Sequence, residues 1–84
     1  MPNITEIEAR VRFIIASTLG LKDSKIFLQS RLAEDLGADS LDVSQMVLDI
    51  EKEFDITILD NASERLRTVS DIVNFIVLAN EVKV

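Results

Sequence analysis

Three stretches of this chain space aliphatic residues at helical intervals, and a long stretch between the first two does not. Ile7, Val11, Ile14, Ile15 and Thr18 follow an i, i+4, i+7, i+8, i+11 pattern. Val43, Met46, Val47, Ile50 and Phe54 fall within about 100° of one another on a helical wheel. Val69, Ile72, Val73, Ile76 and Val77 repeat the stripe near the C-terminus. Each stripe is an apolar face that must be buried against another, and none alternates with the period of two that a half-buried strand requires. The expected fold is therefore all-α. It is a small bundle of three main helices plus one short helix, with a long loop between helices 1 and 2, in a single domain spanning residues 1–84.

Polar residues mark the ends of these helices. Helix 1 is expected over residues 5–19, where Thr5 and Glu8 fit a capping box; Asn3 with Glu6 is a competing frame that starts two residues earlier. Gly20 supplies the residue that commonly follows a helix C-terminus. Residues 21–38 lose the period but keep apolar anchors at Ile26, Phe27, Leu28, Leu32 and Leu36, all expected to pack inward. The spacing of Leu32 and Leu36 predicts a helical turn near residues 30–35. Asp39 is the expected N-cap of helix 2, with Asp42 in its first turn and its end near Phe54. Asp60 can cap a short helix to about Leu66, with Ala62 and Leu66 facing inward. Thr68 with Asp71 starts the last helix, expected to fray after Asn80. Its β-branched residues weaken intrinsic helicity, so packing has to hold it.

Composition removes whole classes of chemistry. The chain has neither Cys nor His, which excludes disulfides, thiolate nucleophiles, Ser–His–acid triads and ordinary zinc sites. No metal site is expected. An EF-hand register beginning at Asp35 puts Ser40 at the sixth position and Met46 at the twelfth, where glycine and glutamate are needed. The longest apolar run, residues 75–79, is far short of a membrane span, and the first residues carry neither a secretory nor a transit signal. The chain reads as cytoplasmic, or as a mature organellar form, and as a monomer.

Charge is distributed unevenly. Residues 34–60 hold nine acids against Lys52 alone, a net of −8, whereas the whole chain carries −6. Such a field opposes nucleic-acid phosphate and anionic membrane and favours encounter with basic protein surfaces. Within this region Leu41 and Leu48 point away from the core stripe of helix 2, with Asp42, Asp49 and Glu53 along one side and Glu51 on the other. Exposed leucines bordered by acids are consistent with a solvated face or with a docking surface. Ser40 sits at the start of the same helix, beside Asp39. A serine in that position is ordinarily part of the cap, and without a nearby base it reacts only if another protein activates it.

The wording of the region adds to this. Leu36-Gly37-Ala38-Asp39-Ser40-Leu41-Asp42 resembles the attachment motif of acyl carrier proteins, and Ile50-Glu51-Lys52-Glu53-Phe54-Asp55-Ile56 and the order of helices extend the resemblance over most of the chain. Its length and wording are closer to the freestanding carriers of type II fatty acid synthesis than to polyketide, peptidyl or D-alanyl carriers. The resemblance implies a non-enzymatic carrier whose Ser40 receives 4′-phosphopantetheine from coenzyme A through a phosphodiester, installed by a magnesium-dependent phosphopantetheinyl transferase. Acyl groups would ride on the thiol of that arm as thioesters between fatty acid synthesis enzymes. Basic patches on those enzymes would read Asp39, Leu41, Asp42, Leu48, Asp49 and Glu53. A growing acyl chain would be held near Leu32, Met46, Ile50, Ile58, Ala62, Leu66 and Phe75. Gln45, Lys52, Leu59 and Asn61 depart from the usual family pattern without touching the attachment motif. The alternative of a different class is an acidic helical adaptor or calcium-binding module with no covalent cofactor.

Overall fold

The computed structural model describes residues 3–82, apart from the side chains of Asp60, Glu81 and Val82. Four helices follow one another: α1 (Ile4–Leu19), α2 (Ser40–Phe54), the short α3 (Asp60–Ser63) and α4 (Val69–Val82). No strand occurs among the described residues; a lone antiparallel bridge joins Arg31 to Thr68. The all-α bundle expected from the three stripes is the observed architecture.

Helix α1 is the central element, packed against both α2 and α4. Its buried residues are Ile7, Val11, Ile14, Ile15 and Ala16, while Thr18 is only half-buried. Of the two possible starts, the earlier one is used: Asn3 is the N-cap, and its side chain accepts from the Glu6 N–H at 2.9 Å. Capping from Asn3 instead of Thr5 adds two residues and their backbone hydrogen bonds to the helix, and Thr5 becomes an ordinary exposed helical residue. At the other end Gly20 takes a left-handed conformation (φ 69°) and its N–H returns to the Ala16 carbonyl.

The stretch from α1 to α2 is irregular but tied down. One turn of 3₁₀ helix (Asp23–Lys25) was not legible from the pattern. Ile26 and Leu32 are buried and Leu28 and Leu36 pack against the core, as expected. Phe27 is the correction: it points outward, 61% exposed. The backbone at Ile26 is extended (φ −109°, ψ 117°), so consecutive side chains alternate and a buried Ile26 turns Phe27 to solvent. Ser30, itself buried, then closes the turn by accepting from the Phe27 N–H through Oγ at 3.0 Å. Backbone bonds stitch the segment to the start of α4: Ser70 N–H to the Leu28 carbonyl, Val69 N–H to that of Ser30, and Leu32 N–H to that of Arg67. The expected turn follows as Asp35 and Leu36 N–H groups donate to the Arg31 carbonyl. Asp35 fastens it by accepting from the Arg31 backbone N–H at 2.8 Å and from the guanidinium at 3.3 Å, and these bonds hold its carboxyl below the usual carboxylate range.

After α2 the chain reverses through Asp55, which adopts a left-handed conformation at φ 53°. Helix α3 is shorter than expected. Arg65 and Leu66 N–H groups bond three residues back, to the Ala62 and Ser63 carbonyls, so the segment to Leu66 continues as tight turns. The first carbonyl used by α3 is that of Leu59, which makes Asp60 the first helical residue; the capping role expected of its side chain lies outside the described residues. Leu66 is buried and Ala62 partly so, facing inward as expected. Helix α4 opens on the reciprocal bonds expected of Thr68 and Asp71: Asp71 N–H to Thr68 Oγ1 and Thr68 N–H to Asp71 Oδ2, both 3.1 Å. It buries Val69, Ile72, Val73 and Ile76 and continues to Val82 instead of fraying after Asn80.

Candidate functional site

The approach to α2 is built residue by residue. Gly37 has φ 74°, a conformation that strains any residue with a Cβ. Ala38 then drops into the core at 7% exposure, held by its N–H on the Leu32 carbonyl at 2.8 Å. Asp39 caps the helix as expected, and with Asp42 forms a complete capping box. The Asp39 carboxylate accepts from the Asp42 N–H at 2.9 Å, and that of Asp42 from the Asp39 N–H at 3.1 Å.

Because Asp39 does the capping, Ser40 is released from it. Ser40 is the first residue of α2, its side chain is exposed, and its hydroxyl makes no hydrogen bond among the described residues. The backbone N–H groups of Ser40 and Leu41 likewise have no protein partner there. A free hydroxyl beside unpaired N–H groups at the positive end of a 15-residue helix suits a phosphodiester. The two flanking carboxylates each have one oxygen committed to the box, which limits the repulsion they direct at a phosphate. On one side Ser40 borders a cleft of about 450 Å³, whose other walls include Leu32, Val43, Ser44, Ser63, Leu66 and Arg67. Apolar side chains next to hydroxyls, the Arg67 guanidinium and the carboxylates of Glu34 and Glu64 give it the mixed character that an arm of amides and methylenes needs.

The residues expected to dock partners lie where the wheel puts them. Leu41 is 79% exposed and Leu48 50%, whereas Met46, Ile50 and Phe54 are buried and Val43 and Val47 pack against the core. Asp49 is half-buried and accepts from Gln45 Nε2 at 3.0 Å. Glu53 is exposed and paired with Arg10 at 3.0 Å.

The seven residues expected to hold an acyl chain do not share one of the clefts described among residues 3–82. Met46, Ile50 and Ile58 are closed into the core. Leu32 and Leu66 border the cleft beside Ser40. Ala62, Leu66 and Phe75 line a separate cleft of about 340 Å³ between α3 and α4. Leu66 alone among the seven touches both.

Three features escaped sequence reasoning. Glu51, read as a solvated flank, accepts from the Ile58 N–H through Oε2 at 2.8 Å and pins the α2–α3 connection. Ser63 and Arg67 reach the cleft from the far side of that connection. Nothing in the local sequence announces any of these, because each depends on where the chain returns after Asp55.

The central acidity is compensated weakly. Its ion pairs among the described residues include Arg10 with Glu53 and Arg31 with Glu34 and Asp35, all about half exposed and so worth little. Raising ionic strength from about 0.01 M to 0.3 M, which shortens the screening length several-fold, is expected to raise the melting temperature by relieving repulsion within residues 34–60. A melting temperature indifferent to salt in calorimetry or circular dichroism would contradict this.

No helix among the described residues is long and apolar enough to cross a membrane. Residues 9–76 match the family described as the phosphopantetheine attachment site, a span that contains the capping box, Ser40 and the cleft beside it. The chain therefore belongs to the phosphopantetheine-attachment family, and is a carrier protein for the 4′-phosphopantetheine prosthetic group.

Proposed function

We propose that Ser40 is the attachment residue and that the chain carries acyl intermediates of fatty acid biosynthesis. The observation that carries this reading is the exposed, unengaged Ser40 hydroxyl at the first position of α2, next to a cap made entirely by its neighbours. When bound, the prosthetic group supplies a thiol that holds acyl groups as thioesters, the reactive sulfur the chain itself lacks. The protein's own residues do the rest. Asp39 and Asp42 hold the helix start in place, the Ser40 and Leu41 N–H groups would hold the phosphate, and the cleft that Leu32, Ser44, Ser63, Leu66 and Arg67 line with Glu34 and Glu64 would offer the arm a resting surface.

In this reading the protein is a cytoplasmic, monomeric carrier and not a catalyst. A phosphopantetheinyl transferase loads it, and the fatty acid synthesis enzymes meet it through basic patches on Asp39, Leu41, Asp42, Leu48, Asp49 and Glu53. The Leu-Gly-Ala-Asp-Ser-Leu-Asp wording at residues 36–42 supports the fatty-acid type over other carriers. Cargo would enter between α2 and α3 at Leu66, and reaching Met46, Ile50 and Ile58 would require those side chains to part. Intact mass of the protein isolated from its own cells tests the reading. The expected spectrum is one pantetheine-phosphate adduct plus a series of acyl forms spaced by two-carbon units. Aminoacyl or alanyl adducts on the same arm would replace the fatty acid assignment with a peptidyl or D-alanyl one.

A further inference from the structure

Phe13 plays no part in the site described above. It stands on α1 with 64% of its surface exposed, in a chain that has only four aromatic residues. Beside it the seam between α1 and α2 opens into a groove of about 330 Å³ lined by Phe13, Ile14, Ser17, Asp49, Lys52 and Glu53. Two of these are acids of the proposed docking row. At 100° per residue, Asp42, Asp49 and Glu53 lie between the outward Leu48 and the core stripe, on the side of α2 that meets α1. The C-terminal part of the row, Asp49 and Glu53, therefore faces a groove with an aromatic wall.

The three acids are not equivalent. Asp42 is committed to the capping box, and Glu53 is paired with Arg10, whose guanidinium also lies 6.0 Å from the Phe54 ring centre. Asp49 is half-buried and has no ion pair among the described residues; Gln45 occupies Oδ1 and leaves Oδ2 available. Lys52 stands at the groove on a long exposed stem and does not pair with it. A partly desolvated carboxylate beside an exposed aromatic face is a place where an incoming cation gains from both.

We infer that this groove seats an arginine presented by the basic surface of the enzymes that load and serve the carrier, with its guanidinium on Asp49 and over the Phe13 ring. Arginine fits better than lysine because its planar fork bonds a carboxylate while its face stacks on an aromatic ring. The inference rests on the carrier reading proposed above and extends the docking surface from α2 onto α1.

The test is calorimetric titration of the protein, before modification, with the phosphopantetheinyl transferase and no coenzyme A, at low and moderate salt. Phe13→Ala is expected to weaken binding about two- to five-fold with its salt dependence unchanged, and Phe13→Tyr to restore it. Asp49→Asn is expected to weaken binding and flatten the salt dependence. Phe13→Ala removes an exposed ring and should melt like the wild type, so lost affinity is not lost folding. Phe13→Ala binding like the wild type, or Asp49→Asn keeping the full salt dependence, overturns the inference. If the wild-type chain also gains no mass once coenzyme A and magnesium are added, the carrier reading falls and takes this inference with it. If the wild type is modified and Phe13→Ala binds normally, the groove alone is refuted.

Discussion

Ser40→Ala is expected to abolish modification outright: after incubation with coenzyme A, magnesium and a phosphopantetheinyl transferase, the wild type gains one pantetheine-phosphate and the variant none. The size of the effect follows from the chain's composition. With no Cys and no His, no thiol or imidazole competes for the group, and the hydroxyl depends on the transferase for the base that accepts its proton. The fold gives the variant no other way to fail. Ser40 is exposed and bonds no neighbour among the described residues, Asp39 keeps the cap, and alanine is the best helix former available. Stability should change by no more than about 0.5 kcal/mol. Ser44→Ala, one turn further along α2 on the wall of the same cleft, is the control and should be modified like the wild type. Intact-mass spectrometry reads all three proteins. A mass gain in Ser40→Ala would move the attachment elsewhere, and none in the wild type would remove the carrier reading.

What could be read in advance divides along a physical line. Local signals were legible: the α2 stripe of Met46, Ile50 and Phe54, the Thr68–Asp71 pair and the left-handed Gly20 each depend on residues at most a few positions apart. Two nearby frames could both cap α1, and only the two further helical residues gained from Asn3 separate them. Phe27 failed for another reason. Its apolar character says that burial is favourable, but the extended backbone at Ile26 lets only one of the two neighbours face the core. The Ser40 side of the site was legible because the cap, the hydroxyl and the preceding glycine are consecutive. Its far wall was not. Ser63 and Arg67 arrive there through the Asp55 reversal and the Glu51–Ile58 tie, neither of which leaves a periodic trace.

Ile50→Ala and Leu48→Ala, two residues apart on one helix, are expected to separate the inner face of α2 from the outer. Ile50 is 0% exposed and belongs to the same buried cluster as Met46, Val11 and Ile15, where α1 and α2 meet. Truncating it removes three carbons whose space a close-packed interior recovers only in part, at a cost of about 2–5 kcal/mol. Domains of this size hold roughly 5–15 kcal/mol in total, so much of the stability goes with one side chain. At about 4–8 °C per kcal/mol, the melting temperature should fall by at least about 8 °C. Leu48 is half exposed and lies outside the core, so its truncation should cost a few tenths of a kcal/mol at most, offset in part by alanine's helix propensity. Its effect belongs to partner binding. Thermal melts by circular dichroism decide the comparison: equal losses for the two variants would mean that α2 is not packed on the Met46, Ile50 and Phe54 stripe. The same experiment bears on cargo. A core that loses this much when Ile50 is shortened is tightly filled around that residue, so an acyl chain reaching it has to displace side chains already in contact. It would then replace part of the apolar contact it disrupts, which is why an aliphatic cargo is the kind this bundle could admit without leaving polar groups unpaired.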